Sequence, residues 1–242
     1  LSTTGSTYLI YNNSSQLTPG VTNVTGNTVS GVINRTGATG TTYCYYNNGS
    51  PTGIENIFNN VFDSVNTTGT GALYGILSTT GSSHTHNIFN NTIRNFTGGT
   101  GTVYGIHRTL ASGSIYENSV YNLAGGGTIY GLSNGTGTNN IYRNNINNLS
   151  TSSTATTAGL VSGIYISGVT NHYVYNNFIS DLKAPLAAST DAIRGINCTA
   201  TTASSNLGLY YNTIYLNATS SGANFGTSGI YHTNSTTSTT AQ

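Results

Sequence analysis

The residues able to do acid–base or ionic chemistry are few: Glu55, Asp63, Glu117, Asp181 and Asp191 are the whole carboxylate inventory of 242 residues, and Arg35, Arg94, Arg108, Arg143, Lys183 and Arg194 are the fixed cations. Asp181 and Asp191 flank one loop, with Lys183 between them and Arg194 just after. A glycoside hydrolase needs two carboxyls about 5 Å apart to retain configuration, or roughly 6.5 to 9.5 Å apart to invert it. Asp181, Asp191 and Arg194 are therefore the candidate catalytic set; the competing reading is a solvated loop with a local ion pair. His84-Thr85-His86 puts two imidazoles on one side of an extended segment, as a metal site does, and His107 belongs to the next repeat. No third ligand stands at a matching position, so the expectation is a turn carrying two histidines, with no metal and no cofactor. Five acids cannot supply the aspartate per turn of calcium-binding nonapeptide repeats.

Aromatic residues give a second candidate. Phe58, Phe89, Tyr116, Tyr142, Tyr175 and Tyr210 each follow an aliphatic residue, Ile57, Ile88, Ile115, Ile141, Val174 and Leu209. Alternation along a strand points the two sets to opposite sides, so the aromatics form an outward row if the aliphatics are buried. Such a row among neutral polar neighbours suits the C–H faces of sugars and makes these six the candidate ligand-binding residues. Rings stacked on one another in successive repeats also stabilise a sheet with no ligand at all. Tyr43, Tyr74, Tyr104 and Tyr130 form another column, before a glycine whose bulge can turn them either way. Threonines crowd into irregular stretches, residues 151–157 and 199–202, without the regular Thr-x-Thr column of an ice-binding face. Asn-x-Ser/Thr sequons at Asn34, Asn66, Asn95, Asn148 and Asn217 are expected by chance in a chain so rich in Asn and Thr.

The elements that position these residues emerge from an internal repeat. An asparagine closes each aromatic motif, giving Asn27, Asn60, Asn91, Asn118, Asn144, Asn177 and Asn212, spaced by 33, 31, 27, 26, 33 and 35 residues. Two residues later stands Val29, Phe62, Ile93, Val120, Ile146, Ile179 or Ile214, and most copies add Val65, Phe96, Leu123, Leu149 or Leu182 three further on. Interleaved is a glycine followed by Ile or Leu, at Gly75, Gly105, Gly131, Gly163, Gly195 and Gly229, with Leu9-Ile10 and Cys44-Tyr45 as imperfect copies. Each repeat reads as strand, short turn, strand ending in asparagine, sharp bend, third strand and a Gly/Thr/Ser-rich loop, with no helical period. Length variation is expected mainly in that last loop, longest at residues 150–159 and 183–190. One such unit cannot bury its apolar residues alone, so units must stack at about 4.8 Å per coil. The expected fold is all-β, a right-handed parallel β-helix (solenoid) of about seven coils with 26–35 residues per coil, forming one domain over residues 1–242.

The repeat resembles that of the pectate-lyase-like superfamily and of many secreted carbohydrate-active proteins, in which asparagines stack as a ladder at the bend between second and third strands. The resemblance implies a structural ladder of Asn27, Asn60, Asn91, Asn118, Asn144, Asn177 and Asn212, each tolerating left-handed backbone and bonding the next amide. None of the family's catalytic motifs is present, so no catalytic residue carries over. The Asn/Thr/Gly-rich style also resembles large repetitive surface proteins of the Bacteroidetes exported by type IX secretion.

Composition bounds the function further. Charged residues make up 5% of the chain against roughly 25% in an average domain, and the net charge is +1, which offers nothing to nucleic acid. No apolar run is long enough for a membrane helix. Cys44 and Cys198 fall five coils apart, about 24 Å at the coil spacing, beyond the roughly 7 Å a disulfide spans. Neither residues 1–15 nor 233–242 reads as an amphipathic cap, so the chain is expected to be a segment of a longer solenoid or to be continued by partner domains. These features favour a secreted or cell-surface structural or adhesive β-helix, with polysaccharide or cell-surface glycan as partner. The alternative is a polysaccharide lyase or glycoside hydrolase on the same architecture.

Overall fold

The computed structural model describes residues 4–14, 20–36, 39–49, 53–79 and 84–234; residues 1–3, 15 and 235–242 of the two terminal stretches lie outside them. Among the described residues every regular element is a strand, every pairing is parallel, and there is no helix long and apolar enough to cross a membrane. The chain winds as a parallel β-solenoid of about 6 turns, close to the expected count. The first face stacks β1 (Thr7–Asn12), β5 (Thr42–Asn47), β9 (Leu73–Ser78), β12 (Val103–Arg108), β15 (Ile129–Asn134), β18 (Val161–Ile166), the start of β21 (Ile193–Tyr210) and β23 (Thr227–Asn234). The second stacks β2 (Val21–Thr25), β6 (Ile54–Phe58), β10 (Thr85–Phe89), β13 (Gly113–Tyr116), β16 (Thr138–Tyr142), β19 (Val169–Tyr175) and the end of β21. The third stacks β3 (Thr28–Val29), β7 (Val61–Asp63), β11 (Thr92–Thr97), β14 (Ser119–Gly125), β17 (Asn145–Thr151), β20 (Phe178–Lys183) and β22 (Thr213–Tyr215), flanked by β4 (Ile33–Arg35) and β8 (Val65–Thr67).

Register is strict, so each inward position becomes a column. Ile57, Ile88, Ile115, Ile141 and Val174 of the second face are sealed, as are Phe62, Ile93, Val120, Ile146 and Ile179 of the third. Each full burial contributes about 1.5–3 kcal/mol, and because the partner lies in the next coil, no unit is stable by itself.

The glycine-isoleucine signature has a steric cause. Two adjacent residues, Gly75 and Ile76, both face inward, and Tyr74 faces out. A Cβ on Gly75 would lie 2.8 Å from Ile93 Cγ2, and on Gly105, Gly131, Gly163 and Gly195 it would lie 2.4–2.5 Å from Val120, Ile146, Ile179 and Ile214. The first face thus presses against the third with no room for a side chain.

One expectation needs correction. The left-handed backbone at the bend belongs to the residue before each ladder asparagine: Gly26, Asn59, Asn90, Glu117, Arg143, Asn176 and Tyr211 have φ between 53° and 69°. The ladder asparagine follows in ordinary backbone, which frees its amide to point along the axis. Length varies most in the loop after the third strand, as expected, from the tight step Gly125 to Ile129 to the long ones Thr151 to Val161, Lys183 to Ile193 and Tyr215 to Thr227, and less between first and second strands.

Candidate functional site

The seven asparagines at the bend bond in series. In each step from Asn27 to Asn212, backbone N and Nδ2 of one asparagine donate to Oδ1 of the next at 2.9–3.1 Å. The amide also donates to a carbonyl of the preceding coil, as Asn144 Nδ2 does to Ile115 O at 2.9 Å. Every buried polar group of the bend is thereby satisfied, and a missing member would orphan groups in two coils.

Outward on the second face, Phe58, Phe89, Tyr116, Tyr142 and Tyr175 stack with centroids 4.8–4.9 Å apart and planes within 2–4°. Each interior ring has both faces covered by neighbours, so the ladder offers its rim: ring edges and the hydroxyls of Tyr116, Tyr142 and Tyr175. Beside it runs an amide column, Asn56 Nδ2 donating to Asn23 Oδ1 and Asn87 Nδ2 to Asn56 Oδ1 at 2.9 and 3.0 Å. Tyr210, next in register after Tyr175, joins no stacked pair among the described residues and is 51% exposed.

The first face carries a double aromatic row. Tyr8, Tyr43, Tyr74 and Tyr104 stack at 4.6–5.2 Å. Tyr11 and Tyr46 stand alongside at i+3, and Tyr165 stacks on Tyr130 at 4.8 Å. The second row went unrecognised because the two inward residues in succession turn the outward spacing from two into three; the Tyr8-Leu-Ile-Tyr11 and Tyr43-Cys-Tyr-Tyr46 spacings were the available signal. Burial raises the phenols of Tyr43, Tyr74 and Tyr104, and that of Tyr130 to about 12.

The candidate catalytic set does not assemble. Asp181 lies on β20 of the third face and binds Lys183 Nζ at 2.9 Å, which in turn reaches Asn148 Oδ1 at 3.1 Å. Its φ of 54° continues a column of left-handed residues four after the first six ladder asparagines: Gly31, Ser64, Asn95, Asn122 and Asn148 precede it. Asn122 and Asn148 bond down this column at 2.9 and 2.7 Å, a second, outer amide ladder. Gly, Ser, Asn and Asp at that fixed offset were its signal in the sequence. Asp191 sits in the turn before β21 on the first face, gripped by Arg194 at 2.7 Å and Ser228 Oγ at 2.6 Å. Arg194 also donates to Asn197 and lies 3.3 Å over the Tyr231 ring. The two carboxylates share no partner.

The charged groups that do meet are internal. Glu55 is sealed and accepts from Asn12 Nδ2 (2.9 Å), Tyr45 Oη (2.5 Å) and Asn47 Nδ2 (2.6 Å), with His86 Nδ1 at 3.4 Å. His86 pairs with Ser78 Oγ at 2.5 Å; burial, then Arg108 and His84, lower its pKa to about 3, so its contact with Glu55 is that of a neutral ring. Arg108, fully buried, donates to His86 O, Asn134 Oδ1 and Asn139 Oδ1 at 2.9, 2.9 and 2.5 Å. Holding both carbonyl oxygens, it aims both amide NH2 groups at His172 Nε2, at 2.6 and 3.0 Å. Gly135 O stands 3.1 Å from the same nitrogen, and desolvation followed by Arg108 lowers the His172 pKa to about 4. The sequence pointed to none of this, because Glu55, Arg108 and His172 do not repeat.

His84 is buried, with neither ring nitrogen hydrogen-bonded, and its ring stacks on His86 at 5.5 Å. His107 lies on another face, bonded to Ser133 Oγ at 2.9 Å. Among the described residues no group of three or more His, Cys, Asp or Glu side chains is placed to hold a metal ion. Cys44 and Cys198 are free and buried, and burial raises both thiols, Cys198 to about 12, far from thiolate chemistry at neutral pH.

Comparison with family models, curated proteins and solved structures finds no match. The functional reading therefore rests on geometry alone.

Proposed function

We propose that this chain is a structural and adhesive solenoid of a secreted or cell-surface protein, a stiff spacer whose outer faces hold neutral glycans. The observation that carries the reading is ladder continuity: amides and rings join each coil to the next along the axis, so load on one coil is shared by its neighbours. The adhesive part is supported by the second face, whose outward columns present ring edges, tyrosine hydroxyls and amides, flanked at the bend by a single ion pair, Arg143 with Glu117 at 3.3 Å. A neutral polysaccharide brings hydroxyls to those groups and no charge needing a partner. Kinship with pectate-lyase-like proteins and an origin among Bacteroidetes surface proteins of type IX secretion are part of the proposal. Catalysis would need convergent carboxylates, whereas Asp181 and Asp191 are each engaged by their own cation.

The test passes the chain over insoluble cellulose, chitin and xylan while released reducing ends and unsaturated products are assayed, with polygalacturonate in parallel. Retention on a neutral polymer without turnover is expected. Product release abolished by Asp181→Asn or Asp191→Asn would overturn the reading in favour of an enzyme.

A further inference from the structure

The second face keeps one outward pattern for five coils and then departs from it. The column two residues before the rings runs Asn23, Asn56, Asn87, Ser114 and Asn140, then changes to Tyr173 and Gly208. The register of β21 on β19 shifts at the same place, between Val169 and Asn171. A Cβ on Gly208 would lie 2.4 Å from Tyr210 Cε2 and 2.6 Å from its hydroxyl, so the Tyr210 ring lies across the bare backbone of Gly208 instead of on Tyr175. Tyr173, directly beneath Gly208 in register, is 38% exposed and likewise joins no ring stack among the described residues. Between them is an open pocket of about 240 Å³, lined by Tyr173, Asn206, Leu207, Gly208 and Tyr210.

This is where aromatic rings keep a free face. The lining carries no charge, and Asn206 gives one amide hydrogen to Asn171 Oδ1 at 2.7 Å, leaving its second hydrogen and its carbonyl for a ligand. The volume falls below that of pockets enclosing drug-sized ligands, roughly 300–1,000 Å³, and suits one sugar ring with the rest of a chain outside. A break in a local rule is expected at functional or strained sites.

We propose that Tyr173, Asn206, Gly208 and Tyr210 form a subsite for one pyranose unit of a neutral polysaccharide. The apolar C–H face of the sugar packs on tyrosine, and its hydroxyls bond the Asn206 amide and the phenols. The proposal rests on the glycan reading above and adds its place. An acidic sugar would bring a carboxylate to a lining with no cation.

The test titrates the full chain with cellohexaose, xylohexaose and a galacturonate hexamer by calorimetry. One neutral hexasaccharide binds the wild type, and the acidic one does not. Gly208→Ala, whose methyl displaces the flexible Tyr210 ring without straining the backbone, weakens binding about tenfold or more, as does Tyr173→Ala, whereas Tyr173→Phe keeps most of it and Tyr215→Ala, an exposed tyrosine of the third face, changes it less than about twofold. Circular dichroism melting checks that each variant is folded, and Tyr173→Ala decides if Gly208→Ala is not. Failure of the wild type to bind either neutral sugar would sink the glycan reading and the subsite together. Binding lost in Tyr116→Ala but kept in Gly208→Ala and Tyr173→Ala would overturn the subsite alone and return the site to the ladder. Equal binding of the galacturonate hexamer would overturn the assignment to neutral sugar.

Discussion

Two columns point inward from the second face, two residues apart, and they obey different rules. Val24, Ile57, Ile88, Ile115, Ile141, Val174 and Leu209 differ only in size. Thr22, Glu55, His86, Gly113, Asn139, His172 and Leu207 change chemistry at every coil. The first column would fit any coil onto any other, which is the slippage hazard of a repeat. In the second, Glu55 is met by Asn47 and Tyr45, His86 by Ser78, and His172 by Asn134 and Asn139. A slip by one coil would leave a carboxylate, a guanidinium or an imidazole without its partner in a dry interior, where an orphaned charge costs several kcal/mol. The aliphatic column stabilises the stack and the polar column fixes its order.

The largest expected effect breaks that division directly. Glu55→Gln keeps shape but turns an NH2 toward Asn12, Tyr45 and Asn47, all donors, and should cost about 3 kcal/mol. Ile57→Val, in the neighbouring column, should cost about 1 kcal/mol. Urea unfolding of both variants measures the difference; equal losses would mean the polar column does not specify order.

What the sequence made legible is what repeats. The asparagine bend, the aliphatic columns and the glycine signature recur at fixed offsets, and periodicity recovers them together with the strand class of the fold. Periodicity averages away whatever occurs once. Arg108 was one of six fixed cations and nothing in the pattern marked His172, though both close a buried network. The left-handed residues Glu117, Arg143 and Tyr211 escaped for a different reason: their types disfavour that conformation, and the bend imposes it from the ladder side. Asp181 was singled out for its charge, although its place in the column of Asn95, Asn122 and Asn148 was readable from its offset to Asn177.

The contrast between interchangeable and fixed positions extends to the glycines. A Cβ on Gly105 would lie 2.4 Å from Val120 and 2.5 Å from Gly131 O, so Gly105→Ala should cost about 2–3 kcal/mol through overpacking. Gly229, in the same column, has nothing within 4 Å of an added Cβ, and Gly229→Ala should be neutral or mildly stabilising. Thermal melts that rank the two alike would show that the faces can move apart.

Acid should test the polar column without mutation. His172, lowered to about 4 in the fold, is ordinary in the unfolded chain at about 6.5, so the unfolded state binds the proton first as pH falls. Stability is fully present above about pH 6.5 and is lost progressively toward pH 4, by about 2 kcal/mol at pH 5. His86, lowered to about 3, acts in the same direction. His172→Gln should flatten the urea-midpoint profile between pH 7 and about pH 5; an unchanged slope would remove His172 from the account.

The smallest effect separates stacked from unstacked rings. Tyr142 lies between Tyr116 and Tyr175 at 4.9 Å on either side, so Tyr142→Leu removes two parallel stacks and should cost about 1 kcal/mol. Tyr210 stacks on no ring among the described residues, and Tyr210→Leu should cost less than about 0.5 kcal/mol. Midpoints at unchanged denaturant slope would read the pair. If Tyr210→Leu proved as costly as Tyr142→Leu, the Tyr210 ring would be part of the scaffold's packing, with no face left for a ligand. A near-zero cost would instead leave Tyr210 as a ring that the stability of the fold does not require.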